Sequence, residues 1–320
     1  MEHLVKMLED EIRKFRFESK PRSLYDPIHY IMTLGGKRLR PMLTLMTTEL
    51  YGRNPGDFVK YAVAVEAFHN FTLMHDDIMD QAPLRRGKPT VHMKWNVNTA
   101  ILSGDVLLVK VYNQFLGLPE TQRTEVLSLF NMCATRVCEG QQWDMEFETA
   151  KTVTESQYLQ MIELKTAVLL GFSLELGGIL ADAPAKDRVI LRSIGTNMGI
   201  AFQLKDDLLD VYGDKKKFGK QQGGDILSNK RTFLLVKALR QAKGKHASEL
   251  KKWLSRKTFD KRKKIKAVTT LYDELSIREH TEKKINHYLE LAGKEINQLT
   301  LKEGAKGLKT FLLELAKRQK

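Results

Sequence analysis

The chain has 320 residues, 42% of them apolar, with a formal net charge of +14. This is enough apolar material for a sizeable core, and no run of about 18 apolar residues offers a membrane span. The N-terminal stretch MEHLVKMLEDEIRKF is charged and has no apolar signal core, so a cytoplasmic protein is expected.

The dominant period is helical. Leu4, Leu8, Ile12 and Phe15 recur every three to four residues, as one face of a helix requires. Glycine and proline then punctuate the chain at Gly35–Gly36, Gly52–Gly56, Pro83–Pro89, Gly117–Pro119 and Pro184. Cys133 and Cys138, five apart in a helical stretch, fit reduced structural thiols rather than a disulfide framework or a zinc site. Lys165 and Thr166 interrupt the apolar MIELKTAVLLGF, and Leu169, Phe172, Leu176 and Leu180 continue a helical face. The segment YGDKKKFGKQQGGDILSNK (212–230) reads as a loop between helices. All eight prolines fall at or before Pro184, so the remainder suits long helices. With no convincing strand pattern and no linker, the expectation is all-α: one helical domain over residues 1–320.

The charge is concentrated at one end. Residues 241–320 hold 21 Lys/Arg and 10 Asp/Glu, which leaves the first 240 residues near neutral. The segment KKWLSRKTFDKRKKIK (251–266) carries nine Lys/Arg. Such a region attracts nucleic acid, acidic lipid or anionic substrate, or simply forms solvated helix faces.

Two aspartate triplets of equal spacing stand out: DDIMD at 76–80 and DDLLD at 206–210, each behind an apolar stretch. At about 100° per residue, Asp80 falls about 40° from Asp76 on a helical wheel, whereas Asp77 falls about 100° away. His69 shares the face of Asp76 and Asp80; Gln203 lies near that of Asp206 and Asp210. Two carboxylates one turn apart repel, increasingly so as the dielectric falls, and call for a cation. Oxygen ligands with almost no sulfur favour Mg²⁺ over zinc. That ion takes one or two carboxylates and completes its octahedron with water and substrate phosphate. An EF-hand loop is excluded, since its alternating acidic positions and glycine are absent.

Cationic groups accompany the triplets. Arg85 and Arg86 follow the first, in QAPLRRGKPTVH, and arginine pairs reach phosphate oxygens bidentately. GGKRLRP (35–41) supplies Lys37, Arg38 and Arg40 on a glycine turn, without the spacing of a Walker A loop. Lys220 and Lys230 flank Asp225. The implied ligand has a polyanionic head and a greasy body.

In combination, GGKRLRP, HNFTLMHDDIMD with LRRGKPTVH, FQLKDDLLD and GKQQGGDILSNKRT resemble the trans-isoprenyl diphosphate synthases, the polyprenyl synthetase family, and most closely its short-chain prokaryotic members. The resemblance implies helices around a deep central cavity and a homodimer. It implies Mg²⁺, about three ions bound with the diphosphate, on Asp76, Asp80 and Asp206 with Asp77 and Asp210 in support. Lys37, Arg40, His69 and Arg86 match positions for isopentenyl diphosphate. Arg85, Lys165, Thr166, Gln203, Lys220 and Lys230 match those around the allylic diphosphate (dimethylallyl, geranyl or farnesyl). The implied reaction ionises the allylic C–O bond, adds the double bond of isopentenyl diphosphate to the cation, and loses a proton to the released diphosphate. Catalytic weight would rest on Asp76, Asp206, Lys165, Thr166 and Gln203, the last two and the Lys165 carbonyl steadying the cation.

Product length is implied by the fifth and fourth positions before the first triplet, Phe71 and Thr72. One aromatic and one small residue point to geranylgeranyl diphosphate, C20, with farnesyl diphosphate, C15, as the alternative; Met74 and His75 are other candidates for the cavity floor. A terpene cyclase is the nearest rival, but its second metal site differs from DDLLD. A catalytically silent subunit would be expected to lose a triplet. Nucleic-acid binding through 251–266 is the non-enzymatic alternative and is not expected. A weak membrane-surface contact is a milder use of the same charge.

Overall fold

The computed structural model describes residues 2–14, 20–213 and 223–317. Phe15 and Lys220 lie outside these residues. Among the described residues ten α-helices carry the chain to the second aspartate triplet: α1 (Glu2–Lys14), α2 (Arg22–Thr33), α3 (Leu39–Leu50), α4 (Val59–Met79), α5 (Val91–Lys94), α6 (Val97–Leu116), α7 (Glu120–Thr149), α8 (Glu155–Ile162), α9 (Val168–Leu180) and α10 (Ala185–Tyr212). Further helices follow up to Lys317. Among the described residues the only strands are β1 (Leu84–Arg85) and β2 (Lys88–Pro89), an antiparallel hairpin two residues long within the proline-bounded loop. The all-α expectation holds.

The chain divides into two compact units. The first comprises Met1–Cys133, Leu169–Arg192 and Gln298–Leu308. Leu4, Leu8 and Ile12 of α1 are buried in it, as their spacing predicts. Its centre is aromatic: Phe130 meets Phe68, Phe115 and Phe172 at ring-centroid distances of 5.0, 5.2 and 5.8 Å. The periodicity of α9 predicts one buried face, yet every residue from Leu169 to Leu180 is buried. Small residues explain the difference. A Cβ on Gly177 would stand 2.4 Å from the carbonyl oxygen of Thr44, so the α9 backbone lies directly on α3, and Thr44 Oγ1 donates to Ser173 O at 2.9 Å. Asp187, fully buried near the start of α10, accepts from Tyr51 Oη at 2.7 Å and Thr300 N at 3.1 Å, which ties the 298–308 segment down.

Glu175, also on α9, is buried with Arg192 Nε at 3.1 Å. Burial pushes its pKa up to about 7, against the pull of Arg192. Between its unfolded value of 4.5 and 7, the folded chain holds a proton the unfolded chain has released, so stability from this group is present at low pH and is lost as pH rises. Glu175→Gln removes that slope. Denaturant titrations should show the variant gaining on the wild type by on the order of 2–3 kcal/mol between pH 4.5 and 7.5; a constant difference would contradict it.

The second unit comprises Ala134–Val168, Ser193–Asn297 and Lys309–Lys320. Tyr158, Leu204, Leu208, Phe233, Val268 and Ile285 are buried in it. Helix α8 opens on a capping box, Thr154 with Gln157, and Glu155 at its first turn is held by Lys237 at 2.9 Å and Lys284 at 3.1 Å. The nine Lys/Arg of the basic segment 251–266 are exposed, with one exception. Lys264 is fully buried and donates to Asn229 Oδ1 at 2.7 Å and Leu227 O at 3.2 Å, closing the end of the short helix Gly224–Ser228. Among the described residues no helix is long and apolar enough to cross a membrane. Cys133 is buried and Cys138 exposed, and neither forms a disulfide.

Candidate active site

In the first unit, α4 ends on the first triplet and presents its members unequally. Asp77 points inward, 1% exposed, and Arg85 clamps it: Nε donates to Oδ2 at 2.8 Å and to Oδ1 at 3.0 Å, while Nη2 donates to Oδ1 at 2.7 Å. Burial raises the Asp77 pKa, and Arg85 opposes the rise. Asp76 is partly exposed, with Arg85 Nη2 at 3.6 Å from Oδ2, and Asp80 is exposed. The 100° offset between Asp76 and Asp77 thus separates an outer pair from an inner anchor.

Two distant stretches meet beside this helix. Gly35 and Gly36 take positive φ of 79° and 143° in the turn before α3. A Cβ on Gly36 would stand 2.9 Å from the Arg86 guanidinium, and its φ of 143° disfavours any side chain there; Arg86 donates to Gly35 O. Arg40 Nη1 donates to His69 Nε2 at 3.2 Å, so that nitrogen is the acceptor. Burial, with Arg40, Arg86, Arg85 and Arg38 nearby, drives the His69 pKa well below the ordinary value and keeps the ring neutral. Arg40, His69 and Arg86 therefore share a cationic corner, with Lys37 exposed on the same turn. Arg38 turns the other way, into the protein, between Glu9 and Glu66.

The second unit repeats the division of labour. In α10, Asp207 is 4% exposed and accepts from Tyr158 Oη, from Gln203 Nε2 at 3.1 Å and from Phe233 N at 3.3 Å. Burial and Asp225 push its pKa up to about 7 against those three donors. Asp206 and Asp210 are partly exposed. Asp210 Oδ2 accepts from Asp225 N at 3.1 Å, which ties the first turn of the short helix Gly224–Ser228 to α10. Gln203, which its wheel position places near the Asp206–Asp210 face, turns its amide NH₂ to Asp207, while its oxygen accepts from Thr166 Oγ1 at 3.2 Å.

Lys165 and Thr166 lie in a single turn of π-helix, Glu163–Ala167, rather than in continuous α-helix. Such turns add one residue to the helix and recur at functional sites. Glycines on both sides admit it. A Cβ on Gly140 would sit 2.2 Å from Lys165 N, and one on Gly199 would sit 2.5 Å from Ala167 Cα. Lys165 Nζ donates to Asp144 Oδ2 at 2.6 Å, and Lys230 Nζ lies 3.6 Å from the same oxygen. Burial alone would raise the Asp144 pKa, but Lys230 and Lys165 bring it below the ordinary carboxylate range.

Asp144 and Asp207 escape a reading by motif alone. The signal for Asp207 is its wheel position, inward like Asp77; Asp144 lies 21 residues from Lys165, and no local spacing connects them. Among the described residues no three His, Cys, Asp or Glu side chains converge tightly enough to enclose a metal ion. The outer donors of both triplets are carboxylate oxygens, which fits Mg²⁺ because that ion leaves most of its shell to water and phosphate.

The profile of the polyprenyl synthetase family matches residues 21–272. A geranylgeranyl diphosphate synthase of Saccharolobus solfataricus is 43% identical over 231 residues, 70% of this chain and 69% of the relative. A farnesyl diphosphate synthase of Bacillus subtilis is 36% identical over 272 residues, 81% of this chain and 90% of the relative. A crystal structure of a geranylgeranyl pyrophosphate synthase matches with a TM-score of 0.95 at 42% identity, covering 100% of this chain and 99% of that one. Matched over most of its length in sequence and in fold, the chain belongs to the polyprenyl synthetase family.

Proposed function

We propose that this prenyltransferase condenses isopentenyl diphosphate with allylic diphosphates and stops at geranylgeranyl diphosphate, C20. Residues 1–320 act as one catalytic domain, in the cytoplasm, as a homodimer. The helix face Ile101, Val109 and Leu116 of α6, apolar and exposed, supports the dimer. A weak contact of the basic 251–266 surface with membranes remains part of this reading.

Bound Mg²⁺ would supply charge neutralisation at the departing diphosphate, with Asp76, Asp80 and Asp206 as ligands. Asp77 fixes Arg85 beside Asp76, and Asp210 fixes the chain around Asp225. Arg40, Arg86 and Lys37 bind the diphosphate of the isopentenyl substrate, with His69 neutral and orienting Arg40. Lys165 and Lys230, gathered by Asp144, and Lys220 meet the allylic diphosphate and stabilise the charge that develops as it leaves. Thr166 and Gln203 present oxygens toward the allylic cation. The double bond of the isopentenyl group attacks, and the proton passes to the released diphosphate.

The observation that carries the C20 reading is the pair of side chains before Asp76. Phe71 is half-buried and Thr72 is small, its hydroxyl donating back to His69 O at 2.8 Å. A helical turn rises about 5.4 Å, roughly one isoprene unit, so an aromatic side chain at this depth sets a floor. The test supplies labelled isopentenyl diphosphate and Mg²⁺ with the C5, C10 or C15 allylic partner and chromatographs the alcohols after phosphatase treatment. C20 from all three is the expected outcome. A stop at C15 would retain the mechanism and make the enzyme a farnesyl diphosphate synthase; absence of Mg²⁺-dependent product would sink the reading.

A further inference from the structure

Phe71 does not stand alone on α4. Its ring meets the His75 ring edge-on at 4.7 Å and leans on Phe68 at 5.7 Å, which in turn packs against the buried Phe130. Phe71 and His75 are both partly exposed, whereas Met74 between them is buried. His75 and Phe71 therefore form a continuous aromatic wall one helical turn long, and Met74 is excluded from it.

Helix α6 sets where that wall stands. His75 Nε2 lies 3.2 Å from Ile101 O and 3.8 Å from Asp105 Oδ1, so the imidazole is hooked over the α6 backbone. It fits there only because residue 104 is glycine. A Cβ at that position would come within 2.4 Å of His75 Nε2 and 2.8 Å of its Cδ2, distances that real Cβ atoms do not reach. A methyl group would expel the ring from its hook, and the neighbour that then has to respond is Phe71. Packed interiors pass such displacements on because they have few voids to absorb them.

We infer that His75 is a second chain-length-determining side chain and that Gly104 is a positioning residue which acts through it. The inference rests on the reading of Phe71 as a floor. It accounts for how a residue on α6, outside every diphosphate- and metal-binding motif, would govern product length.

The experiment measures product distribution from dimethylallyl and labelled isopentenyl diphosphate for Phe71→Ala, His75→Ala, Gly104→Ala and the His75→Ala/Gly104→Ala pair, with total label incorporated measured in parallel. Phe71→Ala should extend the products to C25 or beyond. His75→Ala should do so in part. Gly104→Ala should change the C15-to-C20 ratio at least about threefold, and this effect should vanish in the His75→Ala background, because the methyl group then meets no ring. Lengthening by Phe71→Ala with an unchanged distribution in both His75→Ala and Gly104→Ala would overturn this inference and leave the floor intact. An unchanged distribution in Phe71→Ala would overturn the floor and the inference together. Should Gly104→Ala fail to fold, an unchanged distribution in His75→Ala alone would still decide against it.

Discussion

Replacing Asp76 with alanine is expected to lower kcat for prenyl transfer by at least about 100-fold, a loss of about 2.7 kcal/mol of transition-state stabilisation. The outer face of the first triplet carries two carboxylates one turn apart, and Asp76 is the one nearest Arg85. On the proposed reading its removal takes away an oxygen ligand of Mg²⁺, and the Arg85 charge is then balanced chiefly by Asp77. Because Asp76 is partly exposed and the inner anchor Asp77–Arg85 remains, the fold should persist, with Tm within a few degrees of the wild type. The check is a Mg²⁺ titration of kcat in both proteins beside a thermal melt. Near-normal turnover in Asp76→Ala would refute the metal assignment. A melt collapsed by ten degrees or more would instead mean that Asp76 shares the anchoring task of Asp77.

Much of this division is legible in the amino-acid order. The wheel separates Asp77 from Asp76 and Asp80, and burial follows the wheel. The grouping of His69 with basic residues is legible only through motif resemblance, since 29 residues separate it from Arg40 and no local periodicity relates them. The Lys165–Asp144–Lys230 cluster is invisible to periodicity for the same reason. Its members come from three elements, and their meeting depends on close helix approaches at Gly140 and Gly199. Those glycines read as small residues in helical stretches, but what each must make room for does not. The full burial of α9 escapes face-counting because apolar spacing takes no account of Gly177 and Gly178, which let the other faces approach neighbours.

Arg38 is the clearest case where composition misleads, and its replacement should have the largest effect on stability. Lys37, Arg38 and Arg40 read as three phosphate-seeking charges on one turn. Arg38 instead adopts a left-handed φ of 47°, which sends its guanidinium inward, 1% exposed. There Nη1 donates to Glu66 Oε1 at 2.7 Å, Nε to Glu9 Oε1 at 2.9 Å, and Nη2 to Met32 O at 2.7 Å, linking α4, α1 and α2. Burial works against its charge, but Glu66 and Glu9 outweigh that and raise its pKa. Arg38→Ala leaves the Glu66 side chain, 3% exposed, without its counter-ion. Breaking a buried pair from one side costs about 3–5 kcal/mol, which at about 2–4 °C per kcal/mol lowers Tm by roughly 10 °C. Adding Glu66→Gln to that background should restore part of the loss, since a neutral amide no longer buries a charge. Arg38→Lys should restore little, because one ammonium cannot reproduce a fork that reaches three acceptors. A Tm within about 2 °C of wild type in Arg38→Ala would show that the buried triad does not hold this corner together. The loss of stability should also register in catalysis, as a raised KM for isopentenyl diphosphate. Lys37 and Arg40 flank Arg38 in the chain, so loosening that one inward charge would blur the two charges proposed to bind the substrate diphosphate.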